Sequence, residues 1–170
     1  MKSVRLPALF LSLTLWVLPY SLKVSGQGAS STTPPAAEPW KLFLPAQVPW
    51  GAGFASLPPG ARVAILEGDP GKDGFFTMRI EMPDGYRVAP HWHPRQERLT
   101  IISGTLMLGM GERFDEKALK PLSPGTYSSM PPRMAHFAVA RGQTVLQLSS
   151  IGPWAITYIN SDDDPRNSKK

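Results

Sequence analysis

Residues 85–104 read GYRVAPHWHPRQERLTIISG, and residues 125–140 read GTYSSMPPRMAHFAVA. Together the two stretches hold all three histidines of the chain, His91, His93 and His136. Side chains two apart on a strand share a face, so His91 and His93 present their rings together while Trp92 points the other way. Pro94, Arg95 and Gln96 supply a turn, after which Glu97 opens the next antiparallel strand beside the paired imidazoles. His136 comes from a later strand and can close the set from across the fold. Three imidazoles and one carboxylate form an N3O shell, borderline to hard, with one or two positions left open on a five- or six-coordinate ion. The predicted metal ligands are therefore His91, His93, Glu97 and His136.

Working outward from these stretches, the chain is punctuated by Gly or Pro about every eight to twelve residues, as in LPPGA, GDPGKDG, MPDG, ISGT, SPGT and ARGQ. Short β-prone runs lie between, among them RVAIL, FFTMRIEM, YRVAPHW, ERLTIIS, TLMLGM, AHFAVA and TVLQLSS. Many short strands at this spacing predict an all-β fold, an antiparallel sandwich or barrel. Residues 113–120, with acids early and lysines late, give the one helical signal, of two turns at most. Residues 39–60 carry Trp40, Phe43, Trp50 and Phe54 among prolines. They read either as an irregular arm laying its aromatics across the sheet or a partner subunit, or as simple closure of one end of the core. Asp162, Asp163 and Asp164 resemble part of a cation site but read as a solvated acidic tail.

The spacing from Gly85 through His91, His93 and Glu97 to Gly104 would arise by chance in roughly one chain in ten thousand or fewer. At these residues the chain resembles the cupin superfamily. Residues 85–104 match each fixed position of that family's first motif, and Gly125, Pro131 and His136 match the second at its spacing. The resemblance covers residues 59–159. It implies a small antiparallel β-barrel or jelly roll, often dimeric, with a metal held by His91, His93, Glu97 and His136. Two positions depart from the second motif: Arg133 stands where glycine is usual, and Ala140 where asparagine is usual. Glycine there serves a tight turn, so the arginine predicts a turn built differently. Arg133 is either an exposed loop residue or, near the mouth of the fold, a partner for an anionic substrate. With His136 pointing inward, Ala138 and Ala140 share its face and leave volume beside the metal.

The first residues, MKSVRLPALFLSLTLWVLPYSLKVSG, have a basic start and an apolar run, the layout of a secretory signal peptide over residues 1–26. Retention as a membrane anchor is the other reading, because the run approaches spanning length. Pro7, Pro19 and the polar segment that follows favour cleavage and a periplasmic or secreted product without stable membrane insertion. Residues 27–38, QGASSTTPPAAE, form a Ser/Thr/Pro/Ala linker too poor in apolar surface to order itself. The cupin-like domain is then 39–165, followed by a flexible basic tail, 166–170. No cysteine occurs, which excludes disulfides, thiolate ligands and a cysteine nucleophile. The formal charge of +5 includes Lys2, Arg5 and Lys23 of the leader; without them 15 basic face 13 acidic residues. No basic block with interleaved aromatics remains, which argues against nucleic acid as a partner.

The predicted function is that of an exported metal-binding protein, an oxidoreductase of dioxygenase type acting on a small chelating enol, diketone or aromatic compound. Glu97 stays as a ligand or detaches to act as general base. A metal-dependent isomerase or decarboxylase, a small-ligand-binding module without turnover, and a structural metal are the competing readings. Loading outside the cytoplasm favours copper and zinc, the carboxylate favours manganese or iron, and nickel also suits imidazole. Five ions, Mn, Fe, Zn, Cu and Ni, thus remain candidates, and a homodimer is an expected assembly.

Overall fold

The computed structural model of the protein describes residues 39–167. The predicted leader, the linker and residues 168–170 of the predicted tail lie outside the described residues. Nine strands follow in chain order: β1 Gly51–Ala52, β2 Arg62–Glu67, β3 Gly74–Met82, β4 Arg87–Trp92, β5 Glu97–Met110, β6 Lys120–Leu122, β7 Tyr127–Met130, β8 His136–Gly152 and β9 Thr157–Tyr158. All pairings are antiparallel, and the hydrogen-bonded path runs β1-β2-β3-β8-β4-β9, with β5 joining β8 to β6 and β7. The outcome is the expected jelly roll, with a sheet that is not closed into a barrel.

Two strands are longer than the punctuation predicts. The runs ERLTIIS and TLMLGM join through Gly104 into β5, and AHFAVA and TVLQLSS join through residues 141–143 into β8. The glycines at ISGT and ARGQ are bends inside continuous strands, not hairpin turns. Along β5, Ile101 pairs with Leu146 and Ser103 with Val145, which leaves Ile102 as an extra, exposed residue; three residues of β8, 142–144, then separate the partners of Ser103 and Thr105. Gly104 sits at the bend with φ +72°, and a Cβ there would collide with the Gln143 carbonyl oxygen and with Thr144. Only glycine fits a left-handed backbone with another chain so close. Through the bend β5 exchanges its odd-numbered inward face (Glu97, Leu99, Ile101) for an even-numbered one (Leu106, Leu108), which keeps apolar residues on the core side along its whole length.

The core is a cluster built on Phe76, Met78, Ile101, Leu106 and Leu148, all 2% exposed or less. Residues 39–60 divide between the two readings. Leu57 is buried in the core and Phe54 packs against it. The Tyr86 and Tyr158 hydroxyls donate to the Pro58 and Ser56 carbonyls at 2.6 and 2.8 Å, so this part closes one end of the fold. Trp40 is 86% exposed. The helical signal shrinks to a single 3-10 turn, Glu116–Ala118, whose first turn is capped by the Asp115 carboxylate accepting from the Lys117 amide. Acids and lysines set its polarity, but no apolar face lengthens it. Near the C-terminal end, Arg166 donates to Asp164 at 2.8 and 2.6 Å and to the Ile156 carbonyl at 3.0 Å. Among the described residues, no helix is long and apolar enough to cross a membrane.

Candidate metal centre

The site lies where β4, β5 and β8 meet. On β4, Val88 pairs with Ala138 and His91 with His136, so three steps along β4 match two along β8. The one-residue bulge falls at Ala89 and Pro90, where proline has no N–H to give to a ladder. Its consequence is a change of phase. In strict alternation His91 would face away from Val88; with the bulge, both line the same cavity as His136 and Ala138. His93 follows just beyond β4, and its ring lies 5.0 Å from that of His91, nearly perpendicular to it. Trp92 points to the other face and is half-buried.

Each imidazole is held the same way. Nδ1 of His91, His93 and His136 donates to the carbonyl oxygen of Ala89 (2.7 Å), Ala155 (2.8 Å) and Met134 (2.9 Å) respectively. A proton on Nδ1 leaves the Nε2 lone pair free, and backbone acceptors fix the ring orientation as well as the tautomer. The three rings offer ligand atoms that all lie within 4.8 Å of one another, so the three buried histidines could hold a metal ion. Glu97, at the start of β5, is not part of that three-histidine group but lies beside two of its rings, with oxygens 3.3 Å from His93 Nε2 and 3.6 Å from His136 Nε2. All four residues are 4% exposed.

Burial sets the protonation of the site. Desolvation lowers the pKa of His91 well below the ordinary histidine value, helped by the His136 and His93 rings; it lowers His93 to about 4 and lowers His136 as well, against the pull of Glu97. The rings are neutral at neutral pH, the form that binds metals. Desolvation pushes Glu97 up to about 7, partly opposed by His136 and by the Trp154 indole N–H. That indole influences the carboxylate without forming a hydrogen bond of good geometry: Trp154 Nε1 is buried and has no partner. A buried carboxylate among neutral imidazoles lacks a counter-charge, and a divalent cation would supply it.

The cavity beside the rings is ≈ 50 Å³. Apart from the three histidines, Glu97 and Trp154, its wall is aliphatic, with Leu57, Val88, Leu106 and Ile156 among its members. Trp154 stacks on His93 with centroids 5.3 Å apart and planes 18° apart, and forms one side of this wall. Spacing in the sequence gave no sign of it, because Trp154 is brought in by the segment between β8 and β9, far from both motifs. Ala138 lines the cavity as the inward reading required, whereas Ala140 belongs to the core beyond it.

Arg133 is not among the residues lining the cavity. Its backbone is left-handed, φ +63°, its amide donates to the His93 carbonyl at 2.9 Å, and its guanidinium lies 5.1 Å over the Trp92 ring. The prediction of a differently built turn is corrected here: the arginine adopts the positive φ that glycine usually supplies. The strain this costs an L-residue is offset by the cation–π contact and the hydrogen bond to His93.

No protein-family model matches the chain, and no curated protein matches it in sequence. Its fold does match solved structures. KdgF from Halomonas sp. is 21% identical with a TM-score of 0.51, over 67% of this chain and 96% of that one. An RmlC-like cupin from Shewanella frigidimarina is 16% identical, TM-score 0.52, over 67% and 94%. The polyketide cyclase RemF from Streptomyces resistomycificus is 19% identical, TM-score 0.52, over 62% and 75%. The chain therefore shares its jelly-roll fold with these structures, an RmlC-like cupin among them.

Proposed function

We propose that the chain is an exported, metal-dependent enzyme of dioxygenase type, acting on a small chelating organic substrate. His91, His93, His136 and Glu97 hold one divalent transition-metal ion in this reading. The observation that carries it is the convergence of three neutral, backbone-oriented imidazoles on one buried point beside a carboxylate. Bound there, such an ion supplies Lewis-acid polarisation of a chelated oxygen or electrons for dioxygen. The chain's own contribution is a largely aliphatic wall around the site and a carboxyl group, Glu97, that either stays with the ion or detaches to take or return a proton. The cyclase among the structural neighbours is an enzyme on this fold, although fold alone does not select a reaction.

The cavity volume favours a second reading. At ≈ 50 Å³ it is about a third of the ~150 Å³ that accepts a benzene ring, so an aromatic substrate is not accommodated beside the histidines as they stand. Seating an organic molecule and dioxygen together is harder still. A single small ligand, bound without turnover or processed by isomerisation or decarboxylation, fits the space better. Metal analysis of protein from its native compartment, followed by oxygen-electrode measurements with small chelating substrates, separates the two. Oxygen uptake that vanishes in His91→Ala supports the dioxygenase; one equivalent of metal without oxygen uptake supports the second reading. Export predicts a mature chain starting at Gln27, which amino-terminal sequencing checks.

A further inference from the structure

Among the described residues, one fully buried side-chain nitrogen or oxygen has no hydrogen-bond partner, and it is Nε1 of Trp154. Leaving a buried N–H unpaired is costly, so its persistence calls for a partner that arrives later. Trp154 lines the cavity beside the histidines, lies flat on His93, and has its backbone fixed by its amide N–H donating to the Pro70 carbonyl at 2.7 Å. The other N–H donors of the cavity are committed, each histidine Nδ1 to a backbone carbonyl, and Nε2 of His93 and His136 lie beside Glu97. Trp154 therefore offers the cavity a donor that no acceptor engages in good geometry, with Glu97 its nearest influence. Charge narrows what can accept it. Three neutral imidazoles, one carboxylate and a divalent ion leave a net charge of +1 in an aliphatic enclosure, and one monoanion would neutralise it.

We infer that Trp154 is a ligand-positioning residue, its indole N–H donating to one oxygen of a small monocarboxylate seated in the ≈ 50 Å³ space against the aliphatic wall. The inference rests on the metal reading above. It adds the ligand class, a short-chain monocarboxylate, and a residue that neither histidine motif contains.

Zinc and acetate are the probes. The wild-type protein is loaded with one equivalent of zinc and titrated with acetate, propionate and benzoate by calorimetry, while the Trp154 indole resonance is followed by ¹H–¹⁵N NMR. Acetate and propionate are expected to bind and to shift that resonance downfield, and benzoate to bind at least tenfold more weakly. Trp154→Phe keeps a ring on His93 and removes the donor. It is expected to bind zinc within about twofold of wild type and acetate about tenfold or more weakly, the ratio set by a hydrogen bond to a charged acceptor. Replacement of Trp154 by benzothienylalanine, which has the shape of tryptophan but no N–H, guards against a folding defect and should give the same loss. Equal acetate affinity with and without the N–H overturns the inference. So does a loss confined to zinc affinity, which would mean that the donor serves Glu97. If the wild type takes up no zinc, the metal reading fails and the inference falls with it; zinc uptake with no acetate binding overturns the inference alone.

Discussion

The two halves of β8 do different work. From Thr144 to Gly152 it pairs with β3 through nine consecutive partners without a shift, Gly74 with Gly152 through to Met82 with Thr144. From His136 to Val139 it pairs with β4 through three partners and one bulge. The regular half pairs with the strand that sends Phe76, Met78 and Ile80 into the core, and the irregular half carries the buried His136 opposite His91 of β4. A uniform ladder buries apolar area on one face and needs nothing further. A metal site needs ligands from several strands aimed at one point, and a register that departs from strict alternation is how these strands supply it. Stability and site are therefore separable along a single strand.

The largest test of that separation is Phe76→Ala. It removes a fully buried ring from the regular half and should cost about 3–5 kcal/mol of unfolding free energy, while the remaining folded protein keeps its metal stoichiometry. Chemical denaturation and metal analysis of the folded fraction check both parts. His91→Ala strikes the other half. Metal affinity should fall about 100-fold or more, measured by competition with a chelator, with little change in the melting temperature of the metal-free protein.

Glu97 sharpens the comparison because its interests in folding and in metal binding are opposed. Its carboxyl is raised from 4.5 to about 7 in the folded protein, so the native state holds a proton that the unfolded chain releases. Stability is lost as pH rises from about 4.5 through 7. Glu97→Gln should therefore stabilise the metal-free protein by on the order of 2–3 kcal/mol at pH 8, with no gain near pH 4.5, while weakening metal binding. Thermal melts at the two pH values decide it. The same proton must leave before metal binds, so wild-type affinity should drop about tenfold per pH unit below 7, down to about pH 5. The histidines act in the opposite direction on stability. His93, lowered to about 4, withdraws stability as pH falls from 6.5 through 4.

The smallest effect is expected at Arg133. Arg133→Gly relieves a left-handed backbone but forfeits the contact over Trp92, two terms of about 1 kcal/mol each and opposite sign. The net change in stability should stay within about 1 kcal/mol by denaturant titration, and metal affinity should be unaltered. A large loss of metal affinity would mean that the Arg133 amide bond to His93 shapes the site more than the register of β4 does.

The histidines were legible in the sequence because a chelating set needs specific residue types at close spacing, and HxH followed by Glu97 is a local pattern. The strand-rich composition likewise gave the all-β class. Local pattern could not give the phase of β4: Val88, Ala89, Pro90 and His91 read as plain alternation, and only pairing with β8 reveals that two residues, Ala89 and Pro90, face one. Nor could it give the length of β5 and β8, since a glycine reads the same in a hairpin turn as in a bend under a neighbouring chain. Trp154 was invisible for a third reason, being far from the motifs in sequence and adjacent to them in space. By itself, then, the sequence determined which groups could hold a metal and that an all-β fold carries them. The tertiary structure decided how they are aimed, how small the cavity beside them is, and which donor is left over. Those are properties of packing between segments, and no single segment contains them.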